Sequence, residues 1–261
     1  MTWLGSLPAW AIFPLFAAAA LLLTVALDGI LRRHMVPVEV RSKAGPTAAT
    51  TLQALATIYA VLVAFVIVDE YNQFRSAQSY VSDQAAQLAV ITENSRNLPN
   101  AEGVRIRVAA VAYASKVVHV GLPEIEQHAQ PSIVTDQAFE HIFAVVNGIE
   151  PKAESDRAAY DQILTALGDI AANRTNIVNA AHASIPSPLI IILAVLVVVV
   201  LAVASLMDTR HRRAHLFILS MLAIALSMTL ALVAALDYPY RGFIRIDGSS
   251  ISSFLHHRAE Q

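Results

Sequence analysis

Thr50, Gln53, Thr57, Ala60, Ala64 and Val68 recur at intervals of three and four residues, and Asp69 and Asn72 follow directly. On a helix this spacing puts them on one side. A stripe of small, weakly polar groups in an uncharged segment has two uses. It lets a neighbouring helix approach closely, or it lines a path for water and ions. In the second use Val61, Phe65 or Val68 would form an apolar constriction that gates by dewetting.

Other chemistry is sparse. The sequence contains no zinc motif, nucleophile elbow, phosphate-binding glycine loop or dinucleotide fingerprint. His119, His128, His141 and His182 lie on different predicted elements, without ligand spacing such as His-x-x-x-His. His256 and His257 read as a chance pair near a frayed terminus. The absence of cysteine removes disulfides, thiolate catalysis and cysteine-bound metals. The expectation is a protein that is not an enzyme, with no catalytic residues, no metal and no cofactor.

The elements that must position the stripe are set by hydropathy. The chain has 261 residues, 56% of them hydrophobic and 15% charged, with a mean hydropathy of +0.55. That is too apolar for an ordinary soluble domain. Four uncharged apolar runs, at 9–27, 50–68, 189–207 and 216–236, each approach the roughly 20 residues a spanning helix needs. Their length and lack of alternation exclude a transmembrane β-barrel. The predicted fold is all-α: four transmembrane helices with a helical extramembrane bundle inserted between the second and third. Residues 1–68 hold the first two spans, 69–187 the insert, 188–237 the last two spans and 238–261 a short C-terminal tail.

Residues 50–98 are predicted as one helix of roughly 49 residues, about 73 Å long, half in lipid and half in water. Gly45 and Pro46 punctuate the loop before it, and Thr47 or Thr50 is placed to cap it. Beyond the membrane Phe74, Val81 and Leu88 recur every seven residues, with Ala77, Ile91 and Leu98 beside them, so this part packs against other helices. Further helices are predicted over 101–120, with Val104, Val108, Val111, Ser115 and Val118 on one face and Gly121 and Pro123 closing it. Another spans 132–147, burying Phe139, Ile142, Phe143 and Val146. The last runs from after Pro151 to about residue 184, with Ile163, Leu167, Ile170, Arg174, Ile177 and Ala181 in register. Arg174 interrupts that apolar stripe and is expected to pair with Asp169 or another carboxylate of the bundle.

Within the membrane, Pro14 and the alanine run 17–20 mark the first span for close packing. Asp28 and Arg32 stand four residues apart at its inner end and are placed for an ion pair. The third span, with almost no polar side chain, reads as lipid-facing. The fourth offers Ser220, Ala223, Ser227, Ala231 and Ala234 as a packing stripe and ends at Asp237, before an aromatic belt of Tyr238 and Tyr240.

Charge sets the expected orientation. The loop 31–49 holds four basic side chains against one acidic, and the loop 208–215 three against one. The insert holds 8 basic against 14 acidic. By the positive-inside rule the short loops are cytoplasmic, leaving the insert and both termini in the periplasm of a bacterial inner-membrane, multi-pass protein. The acidic insert and its dispersed basic residues argue against nucleic-acid binding.

The segments IYAVLVAFVIVDEYNQF (58–74), LGDIAANRTN (167–176) and LDYPYRG (236–242) resemble a bacterial family of four-span membrane proteins described as bestrophin-like. The resemblance is strongest at the end of the second span, through Tyr59, Phe65, Asp69, Asn72 and Gln73. It implies an oligomeric, pentameric ion channel whose second transmembrane helix lines a central pore with an apolar neck.

The leading expectation is therefore a homo-oligomeric channel that passes small inorganic ions passively. Thr50, Gln53, Thr57, Ala60, Val61, Ala64, Phe65, Val68, Asp69 and Asn72 are its candidate pore lining. The absence of charged residues in the middle of the spans fits passive conduction better than coupled transport, and the acidic insert leans toward cations. The partners so implied are membrane lipid, small ions and further copies of the chain. The alternative expectation is a non-conducting envelope or signalling protein whose periplasmic bundle binds a partner through its heptad-like surfaces.

Overall fold

A computed structural model describes residues 9–31, 33, 38–151, 153–183, 185–207, 211–237, 240, 246 and 248–259. Helices α1 (Ala9–Ile30), α2 (Val38–Asn94), α3 (Asn100–Lys116), α4 (Leu122–His128) and α5 (Ile133–Asn147) are followed by α6 (Glu154–His182), α7 (Ser187–Leu206), α8 (Arg212–Leu236) and α9 (Ser249–Ala259). All regular structure among the described residues is helical, as the hydropathy pattern requires. The chain divides into a first unit, residues 1–72 with 184–238, and a second, 73–183 with 239–261.

Five helical stretches among the described residues are long and apolar enough to cross a membrane, against the four expected from uncharged runs. Four of them overlap those runs. The fifth, Ala101–His128, carries Glu102, Arg105, Arg107 and Lys116, and it buries Ile106, Ala110, Tyr113 and Ala114 in the core of the second unit.

The first unit contains α1, α7, α8 and α2 as far as Asn72. Tyr59, Val63 and Val66 of α2 pack in one core with Leu193, Val197, Val200 and Leu201 of α7 and Ala223 and Leu226 of α8. Burying a side chain of this size is worth about 1.5–3 kcal/mol in water; in lipid the gain comes from close packing instead. Ala223, Ser227 and Ala231 are buried on α8, and Ala20 on α1. One side of α7 is buried as well, and its exposed side includes Ile191, Ile192, Val195, Val198 and Val199.

Polar groups join these helices at few points. The Tyr59 hydroxyl lies 2.5 Å from Thr229 Oγ1 and donates toward the Leu226 carbonyl at 3.2 Å. Asp28 is buried, and its Oδ1 lies 3.4 Å from His215 Nε2 on α8. Arg32, its expected partner, falls outside the described residues. The Asp237 carboxylate accepts the Ile185 N–H at 2.7 Å, fixing the end of α8 to the stretch that leads into α7.

Helix α2 begins at Val38, well before its expected start, and runs 57 residues, about 85 Å. Gly45 and Pro46 lie inside it rather than in a loop. Proline's φ is helical, and the single N–H it lacks is lost where Pro46 is exposed. Thr50 does not cap the helix; its hydroxyl donates back to the Pro46 carbonyl at 3.1 Å. The helix ends through a 3₁₀ turn, Ser95–Asn97, to Leu98 at φ -91° and ψ 163°. Pro99 enforces that extended backbone on its predecessor.

In the second unit Ala77, Val81, Leu88 and Ile91 of α2 are buried against α3, α5, α6 and α9. The heptad-like stripe is thus satisfied inside one chain. Helix α3 turns Ile106, Ala110, Tyr113 and Ala114 inward and leaves Val104 and Val108 exposed, the reverse of the expected face. Gly121 and Pro123 do not close it. A π turn, Val117–Gly121, carries the helical path into α4, with the Leu122 N–H reaching back to the Val117 carbonyl. The path stops at Ala129, whose φ of 55° is left-handed and whose N–H bonds to the Ile125 carbonyl at 3.0 Å.

Helices α5 and α6 fall where the periodicity places them. On α5 Thr135, Ile142, Val145 and Val146 are buried, whereas Phe143 is exposed. Arg174 on α6 pairs with Asp136 on α5, not with Asp169, and its guanidinium carbon lies 4.5 Å from the centre of the Phe139 ring. The pair is only partly buried. The C-terminal segment is a helix, α9, anchored by Ile251 and Phe254, and not a frayed tail; His256 and His257 are exposed on it. Tyr240 is buried in this core rather than in an aromatic belt, and Tyr238 falls outside the described residues.

Gly168 lies exposed on α6, and nothing stands within 4 Å of where a Cβ would sit. Gly168→Ala is expected to stabilise the protein by about 1 kcal/mol through helix propensity, read as a higher thermal midpoint of the purified chain.

Candidate pore-lining face

Each residue of α2 turns the chain by about 100°, so positions 59, 63, 66 and 70 fall on one side. Tyr59, Val63, Val66 and Glu70 are all buried. The opposite side is uncovered. Thr50, Gln53, Thr57, Ala60, Val61, Ala64, Phe65, Val68, Asp69 and Asn72 are all exposed on the single chain, Phe65 at 71%. The fold thus brings the ten candidate lining residues onto one side and seals the other with Tyr59 and its partners.

The hydroxyls on this face have a defined polarity. Thr57 donates to the Gln53 carbonyl at 2.9 Å, as Thr50 does to Pro46. Their protons are used within the helix, so their oxygens present lone pairs outward. Val61, Phe65 and Val68 project as the large apolar groups, with exposures of half or more. Asp69 and Asn72 complete the face where the uncharged run ends.

Glu70 was not among the expected site residues. It is only 4% exposed, and its pKa is raised to about 7 by burial first, then by the charges of Asp237 and Asp69. Asp237 is raised as well, chiefly by burial, with the Ile185 N–H opposing the shift. The signal was present in the sequence: Glu70 continues the register of Tyr59, Val63 and Val66 and so had to face inward. Among the described residues no cluster of histidine and carboxylate side chains could hold a metal ion.

The model of the bestrophin-like domain matches residues 15–251. The chain belongs to the bestrophin-like family. This bestrophin-like membrane protein is also similar in fold to solved structures. Two are crystal structures of a bacterial bestrophin homolog from Klebsiella pneumoniae, each carrying a point mutation. One has 14% identity and a TM-score of 0.72 over 94% of this chain and 97% of the other. The second has 14% identity and a TM-score of 0.69 over 93% and 98%. A third crystal structure, described as a membrane protein, has 12% identity and a TM-score of 0.68 over 95% and 97%. At these identities the likeness is one of fold. Comparison with curated proteins gave no match.

Proposed function

We propose that this bestrophin-like chain is one subunit of a homo-oligomeric channel that passes small inorganic ions passively, with the exposed side of α2 lining the pore. The observation that carries this reading is the asymmetry of α2. Every residue of its small-polar stripe is uncovered, while Tyr59, Val63, Val66 and Glu70 are sealed against the same chain. A pore assembled from several copies, five by family resemblance, gives that side a function without burying it in one subunit. Outward-turned threonine oxygens and the exposed Asp69 favour cations. The four uncharged runs are the spans in this reading, and Ala101–His128 belongs to the extramembrane bundle because its apolar side is used in that core.

Purified protein in planar bilayers should show unitary currents. Thr57→Trp, placing a bulky ring on the lining, is expected to cut conductance at least about tenfold, and Phe65→Ala, widening the constriction, to raise it. Silent bilayers across pH, voltage and calcium would overturn the reading. The orientation, with insert and termini in the periplasm of the inner membrane, follows the charge of the short loops. Cysteines at Gln130 and Arg212 should label from the periplasmic and cytoplasmic sides respectively; the opposite result reverses the topology.

A second reading rests on α3. Val104 and Val108 are exposed apolar residues on the insert, and a partner protein could cover them in a non-conducting envelope or signalling protein. Particle images separate the two: a ring with axial α2 helices supports the channel, and a monomer or sealed dimer supports partner binding.

A further inference from the structure

Within the second unit a cavity of about 590 Å³ lies among α2, α3, the π turn, α5 and α6. Its inner end is polar and closed. Gln84 is 1% exposed and donates from Nε2 to the Tyr113 hydroxyl at 2.5 Å. The Gln84 Oε1 is equally buried and has no hydrogen-bond partner. Ser132, at the head of α5, is buried in the same lining, and its Oγ also lacks one. Buried polar atoms are almost always paired, and an orphaned carbonyl oxygen is costly to keep. A fold that retains it beside a cavity holds a hydrogen-bond acceptor ready for something that enters.

The rest of the lining says what would enter. Val117, Phe139 and Ile177 give apolar walls. Towards the surface stand Asp136, Glu140 and Arg174. Arg174 is already held by Asp136 and lies over the Phe139 ring, so Glu140 leaves this end with an excess of negative charge. Burial pushes the Tyr113 phenol well above its usual range, so it stays neutral and keeps its bond to Gln84. The backbone is shaped to make the space. The π turn lines the cavity through Val117 and Gly121, and a Cβ on Gly121 would stand 2.7 Å from Thr135 Cγ2. Such turns recur at functional sites, and the volume suits a small molecule.

We propose that this cavity binds a compact organic amine, its apolar body between Val117, Phe139 and Ile177 and its N–H groups received by the Gln84 carbonyl. The acidic end attracts the cation, the apolar walls select its body, and the orphaned oxygen sets its depth. The site lies wholly within the insert and does not depend on conduction.

The test uses the full chain in detergent and three probes of nearly one shape: 2-phenylethylamine, 2-phenylethanol and phenylacetate. Isothermal titration should give saturable binding of the amine, at least tenfold tighter than the alcohol, with the carboxylate weakest. Gln84→Met, which keeps the volume and removes the carboxamide, should lose at least tenfold in amine affinity. Glu140→Gln, at an exposed position where folding is not at stake, should weaken the amine about threefold and leave the alcohol unchanged. Equal affinity for the three probes, preference for the carboxylate, or unchanged amine binding in both variants would overturn the proposal. Absence of saturable binding would do the same.

Discussion

Gly103→Ala is expected to destabilise the protein by about 3 kcal/mol, the largest loss for the smallest added group. Gly103 sits in the first turn of α3, its N–H bonded to the Pro99 carbonyl at 2.9 Å. A Cβ there would stand 2.1 Å from the Ser95 carbonyl oxygen. That obstacle is backbone, held in the 3₁₀ turn that ends α2, with Ser95 itself buried. It cannot move aside as a flexible side chain would. Relief requires α3 to shift from the turn, which breaks the contact of Arg107 Nη1 with the Ser95 carbonyl at 3.5 Å and loosens Ile106 in the core. Gly168→Ala, the same change in open space, should go the other way. Thermal unfolding of the two variants beside the wild type reads both signs, and equal midpoints for all three would refute the close approach.

Glu70→Gln is expected to change how stability depends on pH. The Glu70 carboxyl is raised from 4.5 to about 7 in the fold, by burial and then by Asp237 and Asp69. Between those values the native chain holds a proton that the unfolded chain has released. Stability is therefore highest below about pH 4.5, falls as pH rises towards 7, and stays lower above it. The full loss is up to about 3 kcal/mol, since each tenfold change in proton affinity corresponds to about 1.4 kcal/mol. Glutamine keeps the shape and the hydrogen bonds of the neutral acid but never ionises. The variant should match the wild type near pH 4.5 and unfold at a higher temperature at pH 8. Parallel curves across that range would mean that Asp237, raised in the same direction, carries the dependence.

The sequence made the regular parts of this fold legible and hid the contacts that cross it. Hydropathy located four apolar helices, and repeating spacing located the buried sides of α6 and of α2 beyond residue 74, because both signals are local and repeat over many turns. Gly45 and Pro46 misled because a proline early in a helix costs little when its lost bond faces water. The π turn misled because the glycine and proline that mark it are also the residues that end helices. On α3 two stripes share the same spacing, and local sequence could not say that Ile106, Ala110 and Tyr113 would win over Val104 and Val108. Arg174 announced the need for a carboxylate, but Asp136 lies 38 residues away on another helix. The ten residues of the α2 stripe were legible as a set because a single helix displays them; Glu70 belonged to the same helix, on its buried register, and was passed over.

The division of the chain has a consequence for its synthesis. Each unit is left and re-entered: the first uses residues 1–72 and 184–238, the second 73–183 and 239–261. Tyr59 must wait for Thr229, made 170 residues later, and Ser82 meets Ser250 across 168. At about 5–20 residues per second, the ribosome holds both halves open for many seconds before either can close. A chain released after α7 would lack Thr229 as well as Ile251, and so would fail in both places at once. The interleaving makes residues 207–261 a checkpoint on the parts of both units translated before them.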